Sequence, residues 1–222
     1  MTLTPTPGQT IGPFFGYSLP YPGDNELVPV GHRDAIRLHG TVYDGAGEPV
    51  PDALLEIWQA DQHGQVSQAE GSLRRDGYTF TGFGRAAVDA KGHYSFTTVQ
   101  PGATRGGAAP FIAMTVFARG LTNRLFTRIY LPSDEATLEA DALLQSLPED
   151  RRATLVATPD GDGFRFDVRL QGDNGHNFSS HPSTSPVTLS TLSLTRVAIT
   201  LFQIRFILLT ASSDLSSAIC SM

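Results

Sequence analysis

Cysteine is almost absent from this chain. The single one, Cys220, excludes an intrachain disulfide and fits a reducing compartment, so a cytoplasmic location is expected. Basic residues are few and scattered, 16 Lys and Arg against 22 Asp and Glu, and no basic run exists to neutralise phosphates. A nucleic-acid partner is therefore not expected. The longest apolar run, Val197 to Leu209, is too short for a bilayer and carries Arg205, so no membrane span is expected. The N-terminus MTLTPTPGQT lacks the basic and apolar regions of a signal peptide. Patterns of self-contained chemistry are missing as well. His32, His39, His63, His93, His176 and His181 include no pair at the i, i+2 spacing of a strand-borne chelate or the i, i+4 spacing of a helical one. There is no Gly-x-Ser-x-Gly elbow. Gly106-Gly107 is followed by neither Lys-Ser/Thr nor a helix, so it is not a phosphate loop.

What is present reads as β-structure. Residues 1–31 mix Pro5, Pro7, Pro13, Pro20 and Pro22 with Phe14, Phe15, Tyr17 and Tyr21. A disordered N-terminus is one reading; because aromatics are scarce in disordered tails, an extended arm laid over its own domain or over a partner subunit is the one expected. Residues 32–172 hold the strands. IRLHGTVY alternates Ile36, Leu38 and Val42 with polar residues, the period of a half-buried strand. ALLEIWQA (Ala53 to Ala60) is apolar on both faces apart from Glu56, as in a central strand. A polar loop of about two dozen residues follows, from Asp61 to Phe83, long enough to expect a functional role. Arg85–Val88 and His93–Val99 flank the turn Asp89-Ala90-Lys91-Gly92 and predict a hairpin. FIAMTVFA and LFTRIYL are two further strands, and ATLVAT is expected to pair with FRFDVRL across Asp160-Gly161-Asp162-Gly163. One helix is predicted near 133–147, capped by Ser133. The fold class is all-β, a β-sandwich of Ig or prealbumin-like type with one short helix. After Gly172 the composition changes: residues 173–222 hold 17 Ser and Thr among 50, an atypical tail that reads as a disordered appendage or a frameshifted stretch.

The segment Pro101 to Arg119, PGATRGGAAPFIAMTVFAR, runs from a Gly-rich loop into a strand and contains no His, Tyr, Cys or carboxylate. Its strand closes on a cation, Arg119. Composition fits both a solvent-facing strand-end arginine and a carboxylate-recognition residue, for which the planar guanidinium fork is suited.

LLEIWQAD (Leu54 to Asp61), GFGRAAVDAKGHYSFTTVQPG (Gly82 to Gly102), FARG (Phe117 to Gly120) and FRFDVRLQG (Phe164 to Gly172) resemble the intradiol ring-cleavage dioxygenases. TPTPGQTIGPFF at residues 4–15 resembles the α-type chains of their two-subunit members. Enzymes of that family hold a non-haem ferric ion with two tyrosinates and two histidines, hard phenolates suiting Fe(III) and imidazoles completing the shell. By the resemblance, the first tyrosine position is Val66, eight residues after Trp58, and the second is Thr104, two after Pro101-Gly102. The His-x-His positions are Phe111 and Ala113. All four are non-ligating. The resemblance therefore implies a chain with no metal and no catalytic residue of its own. It would be the α subunit of a hetero-oligomer of αβ units, with Fe(III) bound by the partner β subunit. It further implies that Thr10, Gly12 and Pro13 line the partner's substrate cavity. Arg119 would lie near the same cavity, facing the carboxylate of protocatechuate, which is cleaved with O2. Two other readings stand beside it: a prealbumin-like binding module, and a defective pseudo-subunit that does not assemble. The tail bears on the second, because the resemblance ends at about Gly175.

Overall fold

The computed structural model describes residues 14–67, 76, 78–132, 135–172, 175, 176 and 178. Within them the strands form two sheets packed face to face. The alternation read in IRLHGTVY becomes β1 (Ala35–Tyr43), with Leu38 and Val42 fully buried. It pairs antiparallel with β4 (His93–Val99) on one edge, Ala35 opposite Val99 and Thr41 opposite His93. Its other edge runs parallel to β8 (Gly163–Arg165) and then β9 (Val168–Arg169), and β7 (Thr158–Asp160) closes that side against β8. The second sheet is antiparallel throughout. β2 (Leu54–Gln59) lies between β3 (Phe83–Ala87) and β5 (Ile112–Phe117), with β6 (Leu125–Ile129) beyond β5. Leu38, Val42 and Phe96 from the first sheet meet Leu55, Ile57, Ile112, Met114 and Val116 from the second, the apolar interlayer of a sandwich.

The two sheets are also tied by polar groups. Gln59 Nε2 donates to the carbonyl of Val99 at 2.8 Å, and Thr98 Oγ1 donates to Gln59 Oε1 at 2.7 Å. The side chain of this buried Gln is thereby satisfied from the opposite sheet, as a buried amide requires. Glu56, the one charge in the central strand, receives Arg85 from β3 at 2.6 and 2.9 Å. Nε and Nη2 both donate to the same oxygen, Glu56 Oε1, and Nη1 donates to the carbonyl of Leu19, so the partly buried charges are paired by charge-assisted hydrogen bonds.

The predicted hairpin at 85–99 differs from what forms. The turn is there: Gly92 N donates to Asp89 O at 2.9 Å, and Asp89 Oδ1 accepts from Lys91 N and His93 N. Its two arms go to different sheets, β3 to β2 and β4 to β1. The turn is a corner of the sandwich, and local turn chemistry is the same for a corner as for a hairpin. The final hairpin is shorter than predicted, because FRFDVRL is interrupted at Phe166-Asp167. There the Asp167 carboxylate accepts from Thr41 N at 3.0 Å, and the Phe166 carbonyl turns inward to accept from Tyr94 Oη at 2.5 Å. Gly40 makes this approach possible: a Cβ at that position would lie 2.0 Å from the Phe166 carbonyl oxygen.

The single helix predicted at 133–147 is corrected to short pieces. α1 (Phe15–Ser18) lies far upstream; α2 (Glu135–Glu139), α3 (Ala142–Gln145) and α4 (Glu149–Ala153) follow β6. The break has a cause. Asp141 is extended (φ -73, ψ 122), and its carboxylate accepts from Leu143 N and Leu144 N, so it caps a new helix and does not continue the old one. Pro148 then sets the start of α4. Ser133 lies outside the described residues.

The arm after α1 lies on its own domain. Leu27 N donates to Thr97 O at 2.8 Å along the outer edge of β4, and Leu27 and Val28 are buried. Beyond Gly172, His176 N donates to Arg169 O, Arg169 N donates to His176 Nδ1 at 3.1 Å, and the His176 ring stands edge-on to Phe166 at 4.8 Å. Phe178 packs against the sandwich core.

Candidate functional site

Two places matter: the end of β5, where Arg119 stands, and the loops around its start, where the four ligand-equivalent residues fall.

At the far end, Leu54 is registered opposite Phe117. Continuing that antiparallel register two steps outward sets Asp52 opposite Arg119, and the two side chains meet: Arg119 Nε donates to Asp52 Oδ2 at 2.7 Å. The arginine side chain is 64% exposed and the aspartate side chain 17%. Asp52 Oδ1 is buried with no hydrogen-bond partner. α1 leans on the same corner. The Phe15 ring is 6.0 Å from the Phe117 ring, and a Cβ on Gly16 would come within 3.9 Å of the Asp52 carbonyl oxygen. Phe14 and Tyr17 on either side of this contact point into solvent. Thr10, Gly12 and Pro13 lie outside the described residues; the chain that follows them at Phe14 is the part anchored beside Arg119.

At the near end, the turn Asp61–Gln65, held by Asp61 Oδ1 accepting from His63 N and Gln65 N, lies back to back with the loop from Pro101 to Thr104. Gly102 N donates to Asp61 O at 2.7 Å. Gly64, at φ 78, comes so close that a Cβ there would sit 2.0 Å from the Ala103 carbonyl oxygen. The segments carrying Val66 and Thr104 are thus packed together. Ala113 pairs with Trp58 on one side and Arg128 on the other.

Sequence reading did not single out the group that occupies this neighbourhood. The Arg128 guanidinium lies 4.0 Å above the Phe111 ring, a cation–π contact. Its Nη1 donates to Tyr130 Oη at 3.2 Å, and Tyr130 Oη donates to Asp141 Oδ1 at 3.1 Å. Arg128, Tyr130 and Asp141 are all buried. Burial pushes the Tyr130 phenol up to about 12, against the opposing pull of Arg128, so the ring is a neutral donor and not a phenolate. The available signal was Arg128 itself, a charge inside an otherwise apolar-patterned strand.

Ferric iron does not fit this set. Val66, Phe111 and Ala113 carry no donor atom, Thr104 offers only a neutral, exposed hydroxyl, and the Phe111 ring is covered by the Arg128 guanidinium. Among the described residues no three His, Cys, Asp or Glu side chains gather in metal-holding proximity.

Comparisons with known proteins place this frame. The model of the dioxygenase family Dioxygenase_C matches residues 21–172. Among solved structures, the dioxygenase domain of a dioxygenase–carbohydrate-binding protein fusion from Streptomyces sp. SirexAA-E aligns with a TM-score of 0.50 at 26% identity, covering 76% of this chain and 99% of that one. The chain belongs to the intradiol dioxygenase family, whose enzymes are iron-dependent. Within the family it is 38% identical over 188 residues to the protocatechuate 3,4-dioxygenase alpha chain of Burkholderia cepacia, spanning 77% of this chain and 94% of the relative. The beta chain from the same organism is 35% identical over 162 residues, spanning 65% of this chain and 66% of the relative.

Proposed function

We propose that this chain is the α subunit of a protocatechuate 3,4-dioxygenase and works in the cytoplasm with an iron-binding β subunit. The assembled enzyme opens protocatechuate between its hydroxyls, both atoms of O2 entering the product 3-carboxy-cis,cis-muconate. The observation that carries this reading is the asymmetry of β5. At its start the four ligand-equivalent side chains are unfit for iron and Arg128 of β6 lies buried over Phe111, while its end keeps an exposed arginine beside the anchored arm.

The partner's ferric iron, once bound there, supplies activation of the catechol toward O2. This chain supplies binding. The Arg119 guanidinium takes the ring carboxylate and sets which way round the catechol enters. Thr10, Gly12 and Pro13 form part of the cavity wall, reached through the residues that α1 fastens to Phe117. The exposed Phe14 and Tyr17 are covered by the partner.

The test is purification of the chain alone and co-expressed with its β subunit, followed by iron analysis and an O2-uptake assay. The chain alone is expected to carry no stoichiometric iron and to show no ring cleavage, and the complex to show both. Tightly bound ferric ion with a phenolate-to-iron absorption band in the isolated chain would overturn the proposal. Failure to co-purify with the β subunit would favour a pseudo-subunit or a stand-alone binding module.

A further inference from the structure

Asp52 has no role in the reading above, yet its environment is specific. It stands in the turn before β2, opposite Arg119 by strand register, and gives one oxygen to Arg119 Nε at 2.7 Å. Its other oxygen is buried without a hydrogen-bond partner. Leaving a carboxylate oxygen dry is unfavourable, so the one bond that the group does make is the feature to explain. A guanidinium presents its five N–H donors along fixed edges. Here Asp52 holds the Nε side, and among the described residues no hydrogen bond is made to either Nη nitrogen of Arg119. The arginine is largely exposed and the aspartate is not, so the Nη edge is the one turned to the outside.

We propose that Asp52 is a positioning residue: it clamps the Nε side of Arg119 so that the Nη edge meets the ring carboxylate of the substrate, and it thereby sets the preference for a carboxylated catechol. This rests on the reading of Arg119 as the carboxylate-binding residue of the αβ enzyme. An unclamped arginine on a strand end samples many rotamers, and ordering it must then be driven by substrate binding. A clamped one is preorganised, so less freedom is lost when the carboxylate docks. The clamp acts on binding and not on the oxygen chemistry in the partner, so it should appear in KM and not in kcat.

The experiment compares Asp52→Asn, Arg119→Ala and the double variant in the αβ holoenzyme, with protocatechuate and catechol as substrates. Asparagine keeps the size of the side chain and removes the charge. Asp52→Asn is expected to raise KM for protocatechuate about fivefold, the upper end for a single partly exposed ion pair, with kcat and the KM for catechol within about twofold. In the Arg119→Ala background the same change should add nothing, because the residue it positions is gone. An unchanged protocatechuate KM in Asp52→Asn, alongside a raised one in Arg119→Ala, overturns the clamp and leaves the role of Arg119 intact. Equal losses on both substrates in Asp52→Asn also overturn it, since they mark a packing defect. If Arg119→Ala itself affects both substrates alike, the reading of Arg119 fails and the clamp fails with it.

Discussion

His176 makes a prediction that reaches beyond the last regular strand. Its ring is buried against Phe166, its Nδ1 accepts from Arg169 N, and the backbone of Thr154 lies near it. Burial comes first among the causes that pull it down to about 4, followed by the charges of Arg151 and Arg169, with only Asp167 and the Thr154 contact opposing. The folded chain therefore holds this imidazole neutral, whereas the unfolded chain protonates it near the ordinary value of 6.5. A lowered folded value means that the unfolded state binds the extra proton. The contribution is complete above pH 6.5 and is lost as the pH falls from there toward 4. At pH 5 the two titrations differ by about 2 kcal/mol, which is large against the stability of one domain. The assay is urea denaturation followed by the fluorescence of Trp58, the only tryptophan, from pH 7.5 to 5. Wild type is compared with His176→Leu, so that the carboxylates and His39 cancel in the difference. The wild type should lose about 2 kcal/mol more than the variant across that range. Parallel curves would refute the reasoning, because a histidine that titrates alike in both states is not buried by this fold.

Two more predictions follow from packing. Gly40→Ala puts a Cβ against the Phe166 carbonyl, which the Tyr94 hydroxyl already holds in place; a loss of about 3 kcal/mol and weakened protection of the β1–β8 amides in hydrogen exchange are expected. Asp141→Ala removes the cap of α3 and the acceptor of the buried Tyr130 hydroxyl together, and should lower the thermal midpoint by roughly 2 kcal/mol worth of stability, with the rest of the sandwich intact by circular dichroism.

Much of the sandwich is legible in the sequence because its strands state their faces. Leu38 and Val42 in β1, and Ile112, Met114 and Val116 in β5, alternate as a half-buried strand must, Leu55 and Ile57 belong to the run read as a central strand, and all of these are found in the core. Partnership is less legible. Asp89 to Gly92 specifies a tight turn but not whether the chain returns to its own sheet, a choice made by burial on strands far away. The helix between Glu135 and Gln145 shows apolar spacing on both sides of Asp141, and only the capping bonds reveal that it restarts there. Arg119 stands out as the cation closing a segment that has no His, Tyr, Cys or carboxylate. Its partner does not, since Asp52 lies in DGAGEPVPD, a run whose composition is fully accounted for by turns. The cation at Phe111 was hidden for a related reason: the stacking depends on cross-strand register, Ala113 opposite Arg128, which no local window contains.

The guanidinium over Phe111 also bears on how the chain is supplied. In a protein whose core charge is a metal ion, maturation waits on metal: the apo chain is loosened at the site, and folding free energy is drawn from loading. Here the positive charge at the start of β5 is covalently tethered, delivered by β6 and held by Tyr130 and Asp141 as the strands pair. Synthesis alone completes it. No metal has to be loaded at this position for the start of β5 to reach its folded form.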